Sequence, residues 1–359
     1  MSDGTGTPAG RDPFAGRIPV SVITGFLGSG KTTLLKRLLR HPGMNNAAVI
    51  VNEFGEESID HELLETSSER MALLDNGCLC CTVRTDLQET MRDILTKRLR
   101  GEVIQFDRVF IETTGLADPA PVVQTFSSDS LLADKFRLDC VVTLVDAVNG
   151  LGQLDSLNEP IKQAAIADRL LLTKTDVAPA EQTAALRARL ADINPQALLL
   201  DVVNGEIDPT SLIDIGLTNR QAEGDKLKRW IGPLASPDVD ARMSSLGRPG
   251  GHTAGILSFC LWFDKPFTWS GFETCMQVLT SLRGPDLLRV KGLVNIEGES
   301  GPVVVQGVQH IFHPSARLQA WSDDDHRSRL VFITRGIERE IVANLFGAVG
   351  ALGTASSAT

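Results

Sequence analysis

From about residue 18 the chain alternates short, continuously apolar runs with segments of helical periodicity. The runs at 19–24 (PVSVIT), 47–52 (AAVIVN), 108–112, 140–147, 169–174 and 197–202 read as strands. They are apolar throughout rather than alternating, the pattern of parallel strands buried on both faces. Helical spacing appears over 31–40 and 85–99, where Leu87, Met91, Ile94, Leu95 and Leu99 share one stripe. Strand–helix alternation of this kind predicts an α/β fold, a doubly wound and mostly parallel sheet. The pattern lapses over 217–253, a stretch full of breakers that reads as a linker. Beyond it, strands are expected at 255–264, 289–298, 303–313 and 329–336, with helices at 268–282 and 337–346. The organisation expected is a flexible arm (1–16), an α/β domain (17–216), the linker (217–253), a smaller α+β domain (254–347) and a flexible tail (348–359).

Composition narrows the class. At 359 residues, the length prior is about two domains. The 42% hydrophobic and 22% charged residues exclude collagen-like, coiled-coil and wholly disordered chains. A net charge of −10 argues against a nucleic-acid binder driven by phosphate neutralisation. No window approaches the roughly 18 apolar residues of a membrane span, and the first residues carry no basic start or apolar core of a secretory signal. A cytoplasmic protein is expected. Three of the six cysteines crowd into Cys78-Leu79-Cys80-Cys81, while Cys140, Cys260 and Cys275 lie scattered in apolar segments. A compact thiol cluster points to thiolate or metal chemistry rather than a disulfide framework, and the lone three read as small core residues.

The first strand runs into Gly25-Phe-Leu-Gly28-Ser29-Gly30-Lys31-Thr32-Thr33, a complete G-x-x-x-x-G-K-[ST] element between strand and helix. Its glycines let backbone N–H groups close around phosphates at a helix N-terminus. Lys31 is expected on the β- and γ-phosphates, and the Thr32 hydroxyl on Mg²⁺. Thr173-Lys174-Thr175-Asp176 ends a later strand and resembles the guanine-reading N/T-K-x-D element. A carboxylate at Asp176 accepts from guanine N1–H and its exocyclic amine, a donor pair adenine lacks. Thr173 stands where Asn is commoner, which is expected to weaken the bracing of that loop. Glu112-Thr-Thr-Gly115 closes another strand where many phosphate-loop enzymes place an Asp near Mg²⁺ and a Gly at the γ-phosphate. The role of Glu112, metal shell or water orientation, stays open.

Three thiolates meet one ion only if the backbone kinks at Cys78–Cys81, since alternate residues share a face in an extended chain. Three ligands fall short of the four of a closed structural zinc site, which suits an ion that is passed on; a redox pair or a buried cluster are the alternatives. His310 and His313, three apart on an expected strand, make a poor chelate, and His252 reads as a linker residue.

Taken together, GFLGSGKTT, Val51-Asn52-Glu53-Phe54-Gly55-Glu56, the Cys78–Cys81 motif, Glu112-Thr-Thr-Gly115 and TKTD resemble the CobW-type P-loop GTPases, relatives of the nickel-insertion GTPases. KGLVNIEG, VQGVQHIFHP and DDDHRSRLVFITRG resemble that family's second domain, so the likeness spans about residues 17–347. The resemblance implies slow GTP hydrolysis coupled to delivery of zinc or cobalt to a client metalloprotein, with a nucleotide-dependent homodimer among its expectations. It carries the metal site to Cys78, Cys80 and Cys81 and the switch-like acidic loop to Glu53, leaving Lys31, Glu53 and Glu112 as the catalytic candidates. The chain lacks the His-rich run of many members, having six His in all. The rival reading is a zinc buffer or sensor that uses GTP only as a conformational ligand.

Overall fold

The computed structural model describes residues 16–44, 46–52, 71–73, 79–83, 87–213, 215, 255–309, 311–312, 316–321 and 324–356. The first sheet contains β1 (Ile18–Gly25), β2 (Ala47–Asn52), β3 (Met71–Leu73), β4 (Leu79–Val83), β5 (Arg108–Thr113), β6 (Phe136–Asp146), β7 (Arg169–Thr173) and β8 (Leu198–Val202). Their order is β3-β4-β2-β5-β1-β6-β7-β8. Every pairing is parallel except β3 with β4 at the edge. β1 therefore sits centrally between β5 and β6, and its C-terminal end carries the glycine-rich loop.

Helices cover both faces, as the continuous apolar strands require. On one side α1 (Lys31–Leu39) packs Leu34, Leu35 and Leu38 against Ile23, Val49, Phe110, Val142 and Leu171. Lys36 and Arg37 in its last turn complement the helix dipole. On the other side lie α2 (Leu87–Arg100), α3 (Ala120–Ser128), α6 (Asn158–Ile166) and α7 (Ala180–Ile193), with the short α4 (Ser130–Lys135) and α5 (Gly150–Ser156) between. They enclose Val20, Val22, Ile50, Val109, Ile111, Leu170 and Leu172. α2 buries Leu87, Met91, Ile94 and Leu95 as its periodicity predicts. Leu99, expected on the same stripe, is 68% exposed, because it falls in the final turn just before the chain reverses at Gly101 (φ 72°).

The second domain is an antiparallel sheet of β9 (Ile256–Phe263), β10 (Leu287–Val294), β11 (Val303–Val308), β12 (Ile311–Phe312), β13 (Ala316–Arg317) and β14 (Ser328–Arg335). The order is β12-β11-β10-β14-β9, with β13 also on β11. α8 (Trp269–Arg283) and α9 (Arg339–Ser356) cover one face around Phe272, Met276, Phe332 and Phe346. The opposite face lies on the first domain: Ile256, Leu288, Val308 and Ile333 join the cluster that holds Ile161, Ile166 and Leu190. Two expectations change here. The run at 303–313 folds back as two strands. The C-terminal helix continues to Ser356 where a tail was expected from residue 348, because Leu345 and Val349 keep packing against the aromatic cluster. Cys140, Cys260 and Cys275 are buried, as expected of core residues.

Candidate functional site

Strand β1 ends at Gly25, whose φ of 143° and close approach to β6 leave no room for a side chain; a Cβ would stand 2.4 Å from the Leu144 carbonyl oxygen. Gly28 (φ 71°) and Gly30 (φ 93°) are left-handed too, conformations that glycine adopts without strain. Gly30 is the N-cap of α1, so the loop lays its N–H groups at a helix N-terminus. Lys31 Nζ reaches back over the loop to donate to the carbonyl oxygens of Gly25 (2.8 Å) and Phe26 (3.1 Å). Thr33 is exposed on the next turn.

β5 pairs Glu112 with Ile23, which brings its carboxylate beside the loop. Thr32 Oγ1 donates to Glu112 Oε1 at 3.0 Å. The hydroxyl expected on Mg²⁺ and the Glu112 carboxylate thus converge although 80 positions separate them. Ser29 Oγ, in a residue only 1% exposed, has no hydrogen-bond partner among the described residues. A buried hydroxyl left in that state is costly unless something else satisfies it. Left-handed glycines, this hydroxyl and the Thr32–Glu112 pair together fit a magnesium-bound nucleoside triphosphate. Gly115 closes against the loop: a Cβ there would meet Leu27 N at 2.6 Å and Leu27 Cα at 2.8 Å.

The guanine-reading element stands at the end of β7. Thr173 Oγ1 donates to the Ser29 carbonyl oxygen at 2.8 Å. With Thr where Asn is commoner, a hydroxyl still ties this loop to the phosphate loop. Lys174 adopts φ 58°, and its Nζ donates to Asp146 Oδ2 at 2.7 Å. Asp146 also accepts from the Val148 N–H (2.8 Å) and Asn149 Nδ2 (2.8 Å). Burial raises its pKa, but Lys174 and the two other donors outweigh this and hold it below the usual carboxylate range. Asp176 is exposed, open to a base. The sequence reading passed over Asp146, although an acid ending an apolar strand was visible in LVDA.

The metal motif is only partly described. Cys80 and Cys81 occupy consecutive positions of β4, paired across to Val49 and Ile50 of β2. Ile50 pairs in turn with Ile111 of β5, adjacent to Glu112. With strands about 4.8 Å apart, the Cys81 backbone lies about 10 Å from that of Ile111. Cys78, Glu53, His252, His310 and His313 lie outside the described residues. Among the described residues no group of His, Cys, Asp or Glu forms a ready metal cluster, and no helix is long and apolar enough to cross a membrane.

A glycine loop feeding a helix at the end of a central parallel strand, with a Thr-Lys-x-Asp loop beside it, defines a P-loop nucleotide-binding protein. The family follows from sequence comparison. Residues 19–201 match the CobW/HypB/UreG nucleotide-binding domain and residues 256–349 the cobalamin synthesis protein CobW C-terminal domain. The chain belongs to the CobW family. It is 36% identical over 329 residues to the zinc chaperone YjiA of Escherichia coli, covering 92% of this chain and 98% of that one. It is 35% identical over 352 residues to zinc-regulated GTPase metalloprotein activator 1 of Schizosaccharomyces pombe, covering 90% and 83%. The crystal structure of Zn(II)-bound YjiA GTPase from E. coli superposes with a TM-score of 0.69 at 34% identity, covering 93% of this chain and 99% of that one.

Proposed function

We propose that the protein is a GTP-hydrolysing metallochaperone that holds a transition metal, zinc foremost, at Cys78, Cys80 and Cys81 and passes it to a client metalloprotein. The observation that carries this reading is the sheet order β4-β2-β5-β1. Only β2 stands between the strand bearing Cys80 and Cys81 and β5, which carries Glu112, and β1 with the phosphate loop follows next, so a shift at the γ-phosphate has a short route across the sheet to the thiolates. The names of the relatives, a zinc chaperone and a zinc-regulated GTPase activator, support zinc as the cargo; cobalt is the second candidate.

In this reading Gly25, Gly28, Ser29, Gly30 and Thr33 cradle the phosphates, and Lys31 neutralises their charge. Thr32 and Glu112 hold Mg²⁺, which screens the charge that develops on the phosphates. Thr173, Lys174 and Asp176 read guanine, with Lys174 fixed by Asp146. Gly115 meets the γ-phosphate, and Glu53 belongs to the acidic switch. The thiolates require a reducing cytoplasm to stay available as ligands. Leu27 and Leu116, 54% and 57% exposed beside the nucleotide loop, are the apolar positions that a second copy would cover in a nucleotide-dependent homodimer.

The test is GTP turnover with zinc-loaded protein and an apo-metalloenzyme client, followed with and without the Cys80→Ser and Cys81→Ser variants. Client-stimulated hydrolysis accompanied by metal transfer supports a chaperone. Zinc binding with no turnover under any condition supports the buffer or sensor instead.

A further inference from the structure

Helix α6 touches the nucleotide loop at one side and the second domain at its end. Gln163, 1% exposed, donates through Nε2 to the carbonyl oxygens of Gly115 and Ala117, both at 3.1 Å. Lys162 adds a contact to Asp118 at 3.4 Å. Gly115 is thus gripped from behind by Gln163 while its Cα faces the Leu27 backbone so closely that no Cβ fits. The helix itself is fixed: Thr143 donates to the Gln163 carbonyl oxygen at 2.8 Å, and Asn194 Nδ2 caps Ala164, Ala165 and Ala167.

Two residues beyond the last residue of α6 stands Asp168, 4% exposed. Its Oδ2 accepts from the Val141 N–H at 2.9 Å. Its Oδ1 meets Arg289 Nη2 at 2.5 Å and also Lys291 Nζ, both from β10 of the second domain. Arg289 and Lys291 are 1% and 4% exposed, and β10 packs directly on α6. Burial raises the Asp168 pKa, but the two cations overcome this and drive it well below the carboxylate range. Lys291 is pulled below its usual value, because burial together with the nearby Arg289 and Arg169 outweighs the attraction of Asp168. A buried guanidinium held by a buried carboxylate makes a contact that tolerates little displacement, since breaking such a pair is strongly penalised. Among the described residues Arg289 Nε and Nη1 meet no hydrogen-bond acceptor, and Asp168 is the hydrogen-bonded anchor of that guanidinium.

We propose that Gln163 is a positioning residue for GTP hydrolysis, holding the Gly115 loop against the phosphate loop, and that the second domain sets that grip through the buried Asp168–Arg289–Lys291 cluster. The proposal rests on the GTPase reading above and adds a direction of control: whatever displaces the second domain alters the loop expected to meet the γ-phosphate. The route is a contiguous set of packed and hydrogen-bonded groups, and its coupling is measurable by a double-mutant cycle.

The experiment uses the full-length protein and single-turnover GTP hydrolysis, with GDP affinity and thermal melting alongside. Gln163→Leu keeps the bulk and removes the two donated bonds. Its hydrolysis rate should fall by about 10-fold or more, as when a preorganised donor set is disturbed, with GDP affinity within about 2-fold. Arg289→Met should slow hydrolysis by about 2- to 30-fold, the range of mutations that modulate coupling. The Gln163→Leu/Arg289→Met double variant should be no slower than Gln163→Leu alone. Should Arg289→Met fail to fold by circular dichroism, Lys291→Met takes its place in the cycle. Wild-type hydrolysis in the interface variants, or fold-losses that simply multiply in the double variant, overturns the proposal. Absence of hydrolysis in the wild-type protein instead overturns the GTPase reading, so the two failures are distinct.

Discussion

Adding a single methyl at Gly115 tests the geometry of the nucleotide loop. Gly115 lies outside the left-handed region, so alanine is compatible with its backbone and the cost is the contact alone. The new Cβ would stand 2.6 Å from both Leu27 N and Leu27 Cδ2. The side-chain carbon can rotate away, but the amide nitrogen belongs to the phosphate loop and cannot. Restoring an ordinary separation of 3.4 Å requires a backbone shift of about 0.8 Å. A misplacement near 1 Å at a reacting centre costs about 100-fold in rate, which is about 2.7 kcal/mol of barrier. Overpacking of this kind costs about 1–3 kcal/mol of stability, so the protein should remain folded. Single-turnover hydrolysis of GTP by Gly115→Ala should therefore fall by about two orders of magnitude. GDP should bind nearly as before, because Gly115 is assigned to the γ-phosphate. A variant that hydrolyses GTP at the wild-type rate would refute the assignment of this loop.

Lys31→Ala and Thr32→Ala should each abolish measurable hydrolysis while leaving the circular dichroism spectrum unchanged, since both sit at a loop–helix junction; unchanged turnover would mean the nucleotide is held differently. Asp176→Asn exchanges an acceptor for an amide and should relax the preference for GTP over XTP in a binding titration. Equal wild-type affinity for ATP and GTP would sink the guanine reading. Removing the charge in Asp168→Asn should cost about 3–5 kcal/mol in urea unfolding at neutral pH, because the buried Arg289 guanidinium loses the carboxylate it is hydrogen-bonded to. The depressed pKa of Asp168 gives a signed pH dependence. Its contribution is complete above the unfolded value of about 3.9 and is lost as pH falls through the lower folded value. Asp129, held at about 2 by Gln88, the Leu132 N–H and Arg92, loses its contribution in the same direction. The urea midpoint should thus drop below about pH 4, with a shallower slope in Asp168→Asn; equal slopes would contradict the ion cluster.

What the sequence made legible was local. The phosphate loop announces itself because strand, glycines and helix start lie within sixteen residues, and the apolar runs mark strands buried on both faces. The tie from the Thr173 hydroxyl to Ser29, 144 positions away, was not legible, because no local pattern encodes that bond. Gln163 and Asp146 escaped for the same reason: each acts on a loop brought near only by the sheet order. The helix from Arg339 to Ser356 was cut short because Gly-Ala-Leu-Gly reads as a breaker-rich tail, whereas packing on Phe346 and its neighbours overrides propensity. Nothing local to Arg289 and Lys291 marks them as buried, because the carboxylate they meet, Asp168, belongs to the other domain.

The central claim is that nucleotide state controls the metal site. Cysteine thiols must lose protons to bind zinc, so metal binding should weaken at low pH and disappear in Cys80→Ser and Cys81→Ser. The most direct measurement is competition for Zn²⁺ against a chromogenic chelator, run on the Mg²⁺–GDP protein and on the protein with a non-hydrolysable GTP analogue. Tighter zinc binding in the analogue state is predicted, by a factor of about 5–150, with zinc raising affinity for the analogue by the same factor. Identical zinc affinities in the two states would contradict a hydrolysis cycle that releases the ion.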